Sequence, residues 1–162
     1  MSDVGGNSNG NSPAQRADPL RAYRFEVLID GTGSLSHLKL GCTECSGLGA
    51  ETETHEYREG GRNDYAHRFR GPVKYPPLVL KRGFAASSAL LSWYRQVMDG
   101  ATVRCSGSIR LLVPGSDTPA MTWTFLDAYP VRWTGPELRA EASGVAFESI
   151  ELAHRGLRWT TG

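Results

Sequence analysis

Hydrophobic and polar residues alternate with a period of two along most of this chain. Tyr23, Phe25, Val27 and Ile29 alternate with charged residues, which is the pattern of a half-buried strand. Turn chemistry follows it at Asp30-Gly31-Thr32-Gly33. Further strands are predicted at Leu35 to Cys45, at residues 50–57, at Leu78 to Leu80, and in a hairpin formed by Val103 to Val113 and Met121 to Phe125.

One segment, residues 87–98, has the period of an amphipathic helix instead. Ser87 or Ser88 can cap its start, and Gly100 follows its end. A single amphipathic helix packs most simply against a sheet. We therefore predict a mostly β fold, an antiparallel β-sandwich or small barrel with one packed α-helix. The predicted core face of the helix is Leu90, Leu91, Tyr94, Val97 and Met98.

The alternation changes phase in the last predicted strand, between Ala140 and His154. Val145 and Phe147 share one face of that strand, whereas Ile150 and Leu152 share the other. Either a β-bulge lies near Glu148-Ser149, or both faces of the strand are covered, as they would be at an assembly interface.

Composition divides the 162 residues into two parts. Residues 1–18 are mainly Gly, Asn, Ser and Asp, so we expect a disordered N-terminal arm, followed by a single domain at 19–162. Lys and Arg total 18 against 17 Asp and Glu, a balance that gives no general attraction to nucleic acid or to a membrane. Neither a signal peptide nor a membrane-spanning run is predicted, so we expect a product released into the cytoplasm.

Three groups of residues could in principle carry chemistry. Cys42 and Cys45 have the spacing of a zinc or redox pair, but no second such pair exists to complete a closed zinc site. The acidic residues at 51–59 fit a solvated or lumen-facing strand better than a carboxylate site. The basic segment 68–82, with Phe69 and Tyr75, could bind single-stranded nucleic acid, although it complements the acidic segment of a neighbouring subunit at least as well. We predict no catalytic residue, no metal site and no cofactor.

Several distinctive motifs follow one another along residues 20–157. They are Tyr23 to Asp30, Cys45 to Leu48, Glu51 to Glu53, Glu56 to Gly61, Gly71 to Pro76, Leu80 to Gly83, Trp93-Tyr94, Ala128 to Val131, Trp133 to Pro136, and Glu148 to Leu152 with His154 and Gly156. In this order the motifs resemble the tail tube protein family of contractile phages.

The resemblance implies a fold like that of tail tube proteins and the haemolysin-coregulated protein, with six copies in a ring and rings stacked around a lumen. It implies a structural protein and not an enzyme, with itself, sheath and baseplate or hub proteins as partners, and protein cargo in the lumen. By the same resemblance Glu51, Glu53 and His55 would face the lumen or a ring interface. The subunit interface would include Glu56, Tyr57, Arg58, Glu59, Gly60, Gly61 and Asn63.

One departure concerns the strength of three motifs. Glu56 to Gly61, Leu80 to Gly83 and Trp133 to Pro136 are fuller here than in simple tube subunits of extracellular injection systems. This favours the related protein that starts the tube on the baseplate. The two rival functions are a single-stranded nucleic-acid-binding barrel and a small zinc or redox module.

Overall fold

The computed structural model describes residues 24–57, 67–85, 88–140 and 144–162. The predicted arm at 1–18 lies outside these ranges, and so does the segment 58–66, which holds part of the predicted subunit interface. The described elements are β1 Phe25–Asp30, a 3-10 turn Gly33–Leu35, β2 Leu38–Leu40, β3 Glu44–Ser46, β4 Glu51–Tyr57, β5 His67–Lys74, β6 Leu78–Gly83, α1 Ala89–Met98, β7 Cys105–Leu112, β8 Pro119–Thr134, β9 Phe147–Ala153 and β10 Gly156–Thr161.

Eight of these strands form one antiparallel, strongly bent sheet. Its order is β2-β1-β7-β8-β9-β6-β3, and β10 pairs with β8 beside this path. The first half of β8 pairs with β7 and β10, and the second half pairs with β9. Because β8 belongs to both halves, the sheet folds over itself into a sandwich, and the predicted mostly β, antiparallel fold class is confirmed.

The bend in β8 lies at Asp127. This residue has a positive φ of 50°, and the register with β7 shifts at the same point, between Cys105 and Gly107. The Asp127 amide donates a hydrogen bond to Ser106 Oγ at 3.3 Å. Beside the bend, a Cβ on Gly107 would lie 2.3 Å from the Leu28 carbonyl oxygen, so only glycine allows β1, β7 and β8 to approach this closely.

The inward-facing positions of both halves meet in a single core with α1. Ser88 Oγ accepts a hydrogen bond from the Leu91 amide at 3.3 Å, which confirms one of the two predicted caps. Trp93 Nε1 donates to the Val103 carbonyl oxygen at 3.0 Å. The fully buried core side chains are Val27, Ile29, Leu78, Leu80, Leu90, Trp93, Phe125, Ile150 and Leu152.

The core face of α1 differs from the predicted one. Leu90 is buried, but Met98 is 71% exposed, and Trp93 is fully buried in a position that was not predicted to face the core. Leu91, Tyr94 and Val97 are half-buried. The face is rotated because Trp93 turns into the core, where its Nε1 reaches the Val103 carbonyl oxygen, whereas Met98 is the last residue of the helix.

Two predicted strands are also corrected. The strand predicted at Leu35 to Cys45 is interrupted by His37, which has a φ of 51°, and is divided into the 3-10 turn, β2 and β3. In β9 the register with β6 is continuous from Phe147 to Leu152, so the bulge predicted near Glu148-Ser149 is not present. Val145 and Phe147 are exposed and point away from the core.

Candidate assembly surfaces

Strands β4 and β5 form a hairpin that stands apart from the main sheet. They pair in a separate two-stranded sheet, and their contacts within the described chain are almost entirely with each other. The side chains of Glu51, His55 and Glu56 are exposed, and Phe69 is 59% exposed. A two-stranded hairpin with so little support is marginally stable in water.

Complementary charges line the two strands of this hairpin. Arg68 Nε lies 2.9 Å from Glu56 Oε1, and Lys74 forms an ion pair with Glu53. The hydrogen bond from Lys74, together with its charge, lowers the pKa of the Glu53 carboxyl below its usual range. The acidic and basic segments therefore complement each other within one chain.

Gly71 allows the two strands of the hairpin to come close together. A Cβ at this position would lie 3.0 Å from both Cβ and the carbonyl oxygen of Glu53, and 3.1 Å from His55 Nε2. The register between the strands shifts at the same level, between Thr52 and Thr54. The bulge twists the hairpin. Because Gly71 has no side chain, Glu53 and His55 can both lie close to its backbone.

His154 connects the root of the hairpin to the main sheet. Its Nε2 lies 3.1 Å from the Pro76 carbonyl oxygen, and its Nδ1 lies 3.1 Å from the Gly156 carbonyl oxygen. The imidazole also packs against Tyr75, with ring centroids 5.6 Å apart. The segment between β5 and β6 is thereby held against the junction of β9 and β10.

Glu148 is a buried carboxylate that joins three elements. It is 1% exposed, and it accepts hydrogen bonds from Ser88 Oγ at 2.7 Å and from Trp133 Nε1 at 3.0 Å. Arg82 Nε lies 3.5 Å from the same carboxylate. The start of α1, the end of β8 and the end of β6 are therefore held by one side chain, a structural role that the sequence analysis missed.

An apolar groove lies on the outer face of β6 and β9. It has a volume of about 1040 Å³ and is open to solvent. Lys81 Nζ lies 5.5 Å from the centroid of the Phe147 ring and 3.8 Å from Glu44 Oε2, so charged groups of both signs border the apolar floor. We call this surface the outer groove and define it by Val79, Lys81, Thr134, Leu138, Val145 and Phe147.

The cysteines are part of the core and its margin. Burial raises the pKa of Cys42 to about 11 and that of Cys45 to about 12, and it raises the pKa of Cys105 to about 11. The thiolate is the species that binds metals and attacks disulfides. A raised thiol pKa therefore opposes both the zinc site and the redox pair that the spacing of Cys42 and Cys45 left open. Within the described ranges, no three His, Cys, Asp or Glu side chains are grouped so that they could hold a metal ion.

The basic segment 68–82 does not form a free cationic surface. Arg68, Lys74, Lys81 and Arg82 each lie next to a glutamate. Arg70 is the one cation of this segment without an ion pair among the described residues. The arrangement disfavours a nucleic-acid platform, which needs a continuous positive surface along the backbone of the ligand.

The structure describes some of the predicted interface residues and leaves others outside its ranges. Glu51, Glu53 and His55 lie together on β4, and Glu56 follows them. Tyr57 ends this strand. The remaining predicted interface residues, Arg58, Glu59, Gly60, Gly61 and Asn63, lie outside the described part of the chain. No helix of the described part has the length and apolar character needed to cross a membrane.

The chain matches one family model over most of its length. The model of the T4-like virus tail tube protein family, gp19, covers residues 21–158. Among curated proteins, none matches the sequence.

Solved structures show the same fold. A chain of the anti-feeding prophage baseplate is 29% identical, with a TM-score of 0.82, and the match covers 90% of this chain and 97% of that chain. A chain of the sheath–tube complex of PVC, an extracellular contractile injection system, is 24% identical, with a TM-score of 0.78 and coverage of 90% and 93%. Hcp1 from Flavobacterium johnsoniae is 13% identical, with a TM-score of 0.52 and coverage of 85% and 95%.

Proposed function

We propose that this chain, which belongs to the T4-like virus tail tube protein family, forms rings of six copies that stack around a lumen in a contractile injection system. The observation that carries this proposal is the β4–β5 hairpin, which stands almost alone against solvent. A hairpin of this kind gains stability when a second copy covers it. The baseplate to which the similar anti-feeding prophage chain belongs was solved with six-fold symmetry, which supports the number of copies.

We also propose a place for the ring, at the baseplate end of the tube. The chain from the anti-feeding prophage baseplate is 29% identical, against 24% for the chain from the PVC sheath–tube complex. This difference supports a tube-initiator ring over a main tube subunit. Its partners would be further copies of itself, sheath and baseplate or hub proteins, and protein cargo passing through the lumen.

A structural role without catalysis is part of this proposal, and membership of a tail tube protein family supports it. The candidate thiols have raised pKa values, and the buried carboxylate Glu148 is occupied by hydrogen bonds from Ser88 and Trp133. The described residues that stand out therefore serve packing and contact. Assembly would take place in the bacterial cytoplasm, before the particle is released.

Imaging of the purified chain by negative stain, with a mass measurement, tests the proposal. Closed rings alone are expected for a tube initiator, whereas long tubes would indicate the main tube subunit. A chain that stays monomeric at every concentration would contradict the assembly function.

A variant in the segment between β4 and β5 tests the role of this element. Replacing Glu59, Gly60 and Gly61 together is expected to block assembly while the far-UV spectrum and melting temperature of the monomer stay unchanged. Met98→Asp serves as the matched control, since it alters an exposed side chain on α1. Normal assembly of the hairpin variant would show that the hairpin is not the contact.

A further inference from the structure

Two apolar surfaces remain uncovered at opposite ends of β8. The first is the outer groove, in which Leu138 is 85% exposed, Val145 is 72% exposed and Phe147 is 40% exposed. Single exposed apolar side chains are common, whereas three that line one groove together form a candidate interaction surface.

The second surface is at Trp159 on β10. Leu157 and Trp159 share one face of this strand, and Leu157 is 4% exposed whereas Trp159 is 57% exposed. Trp159 pairs across the sheet with Trp123 near the start of β8. The core therefore covers this face of β10 at Leu157 but no longer at Trp159. β10 pairs with β8 alone, which leaves its other side as an open strand edge. An exposed tryptophan on a strand edge that no other described strand covers is a typical anchor for a partner.

The two surfaces lie on opposite sides of the bend in β8, because β10 pairs with Met121 to Leu126 whereas β9 pairs with Tyr129 to Thr134. We therefore consider a contact between two copies. Two different patches at opposite ends of a subunit produce a head-to-tail contact, which repeats from copy to copy until a ring closes or a stack grows.

Charge is also complementary between the two surfaces. Arg158, next to Trp159, is exposed and has no ion pair among the described residues. Glu44, at the border of the outer groove, is 63% exposed, and its 3.8 Å distance to Lys81 is the longest of the ion pairs in the described chain. Glu44 therefore has room to receive a second cation.

We propose that the outer groove of one copy receives Trp159 and the edge of β10 from a second copy. Leu138, Val145 and Phe147 enclose the indole, and Arg158 pairs with Glu44. This inference rests on the proposed function, because it names the surfaces through which copies of the chain meet.

Site-directed cross-linking tests the contact. A chain carrying Thr134→Cys at the edge of the groove is mixed with a chain of different size carrying Thr160→Cys next to Trp159, and a short bis-maleimide is added to the assembled particles at neutral pH. We expect a cross-linked dimer that contains one chain of each size. The native cysteines contribute little background, because their raised pKa values keep them as unreactive thiols.

The control pair combines Met98→Cys with Thr160→Cys, since Met98 is also exposed but lies on α1. Cross-linking of the groove pair no better than that of the control, in particles that do assemble, overturns this contact and leaves the proposed function standing. Failure of the unmodified chain to form any ring or tube removes the proposed function itself. Loss of the cross-link in a chain lacking residues 1–18 would make that segment the occupant and also overturn the contact.

Loss of affinity gives an independent measurement. Trp159→Asp and Leu138→Asp are each expected to weaken association between copies by at least about 30-fold, the loss typical of a central anchor residue. Each variant keeps the other surface, so a mixture of the two should form a one-to-one complex that neither forms alone. No such complex from two folded variants would contradict the proposal.

Discussion

At the scale of single residues, Glu148 shows how a polar side chain can organise a core. Its position is in phase with Ile150 and Leu152, so the strand pattern itself places a carboxylate inside. The structure explains why this is tolerated, because Ser88 and Trp133 donate hydrogen bonds to it and Arg82 lies next to it. A buried charge is stable only when such partners are present.

Removal of the Glu148 carboxylate should therefore destabilise the protein strongly. Glu148→Leu leaves Arg82 and two donors without a partner, and we expect a loss of about 3–5 kcal/mol in the free energy of unfolding, measured by urea denaturation. Glu151→Gln, on the same strand, disrupts only the exposed pair with Arg132 and should lose less than about 1 kcal/mol. Equal losses in the two variants would contradict the structural role of Glu148.

The thiols give a pH-dependent prediction at the same scale. Because the pKa values of Cys42 and Cys105 are raised to about 11 and that of Cys45 to about 12, all three remain protonated at neutral pH. Their alkylation in the native protein should be slow at pH 7 and should accelerate as the pH rises toward 11, since only the thiolate reacts. Rapid alkylation at pH 7, followed by mass spectrometry, would instead support a redox site.

At the scale of elements, the sequence predicted what depends on periodicity and missed what depends on irregular positions. β1, β4 and the β7–β8 hairpin follow their alternation, and α1 follows its cap at Ser88. Strand β5 was not predicted because Gly71 and Pro72 interrupt its pattern. The buried helix face differs from the predicted one because the predicted stripe leaves out Trp93, and no local pattern shows which turn of a helix the sheet will cover.

The assembly surfaces were only partly predictable for the same reason. The exposed Val145 and Phe147 appear in the sequence as a change of phase, which correctly suggested a second apolar face. Neither the groove that they form with Leu138 nor the distance of this groove from Trp159 can be derived from local spacing, because both depend on how β8 bends.

The bend in β8 provides a prediction for that element. Asp127 has a φ of 50°, a conformation that glycine adopts freely and β-branched residues strongly disfavour. Asp127→Gly should be nearly neutral, whereas Asp127→Val should lower the free energy of unfolding by about 1–2 kcal/mol more. Chemical denaturation of the two variants measures the difference, and equal stability would show that the positive φ is not required.

At the scale of the whole molecule, charge is balanced locally as well as overall. The formal charge of +1 is accompanied by glutamate neighbours for most cations of the segment 68–82. Such a surface does not attract polyanions, and it leaves the few unpaired charges to orient neighbouring copies.

Arg158 is one of these unpaired charges, so its reversal should weaken assembly. We expect Arg158→Glu to reduce the affinity between copies by up to about fivefold at low salt, and by less at high salt because the pair is screened. Arg95→Glu, which reverses an exposed charge on α1, controls for the change in net charge. Analytical ultracentrifugation at two salt concentrations compares the variants, and equal effects would argue against a role for Arg158.

The membership of β8 in both halves of the sheet has a consequence for how the molecule melts. If one half of the sheet lost its pairing, β8 would be displaced, and the other half pairs with the same strand. The two halves are therefore expected to unfold together. The body should therefore unfold in a single cooperative step. The β4–β5 hairpin is outside that unit, so its backbone amides should exchange with solvent far sooner than those of β8 in the free subunit, and they should become protected once rings form.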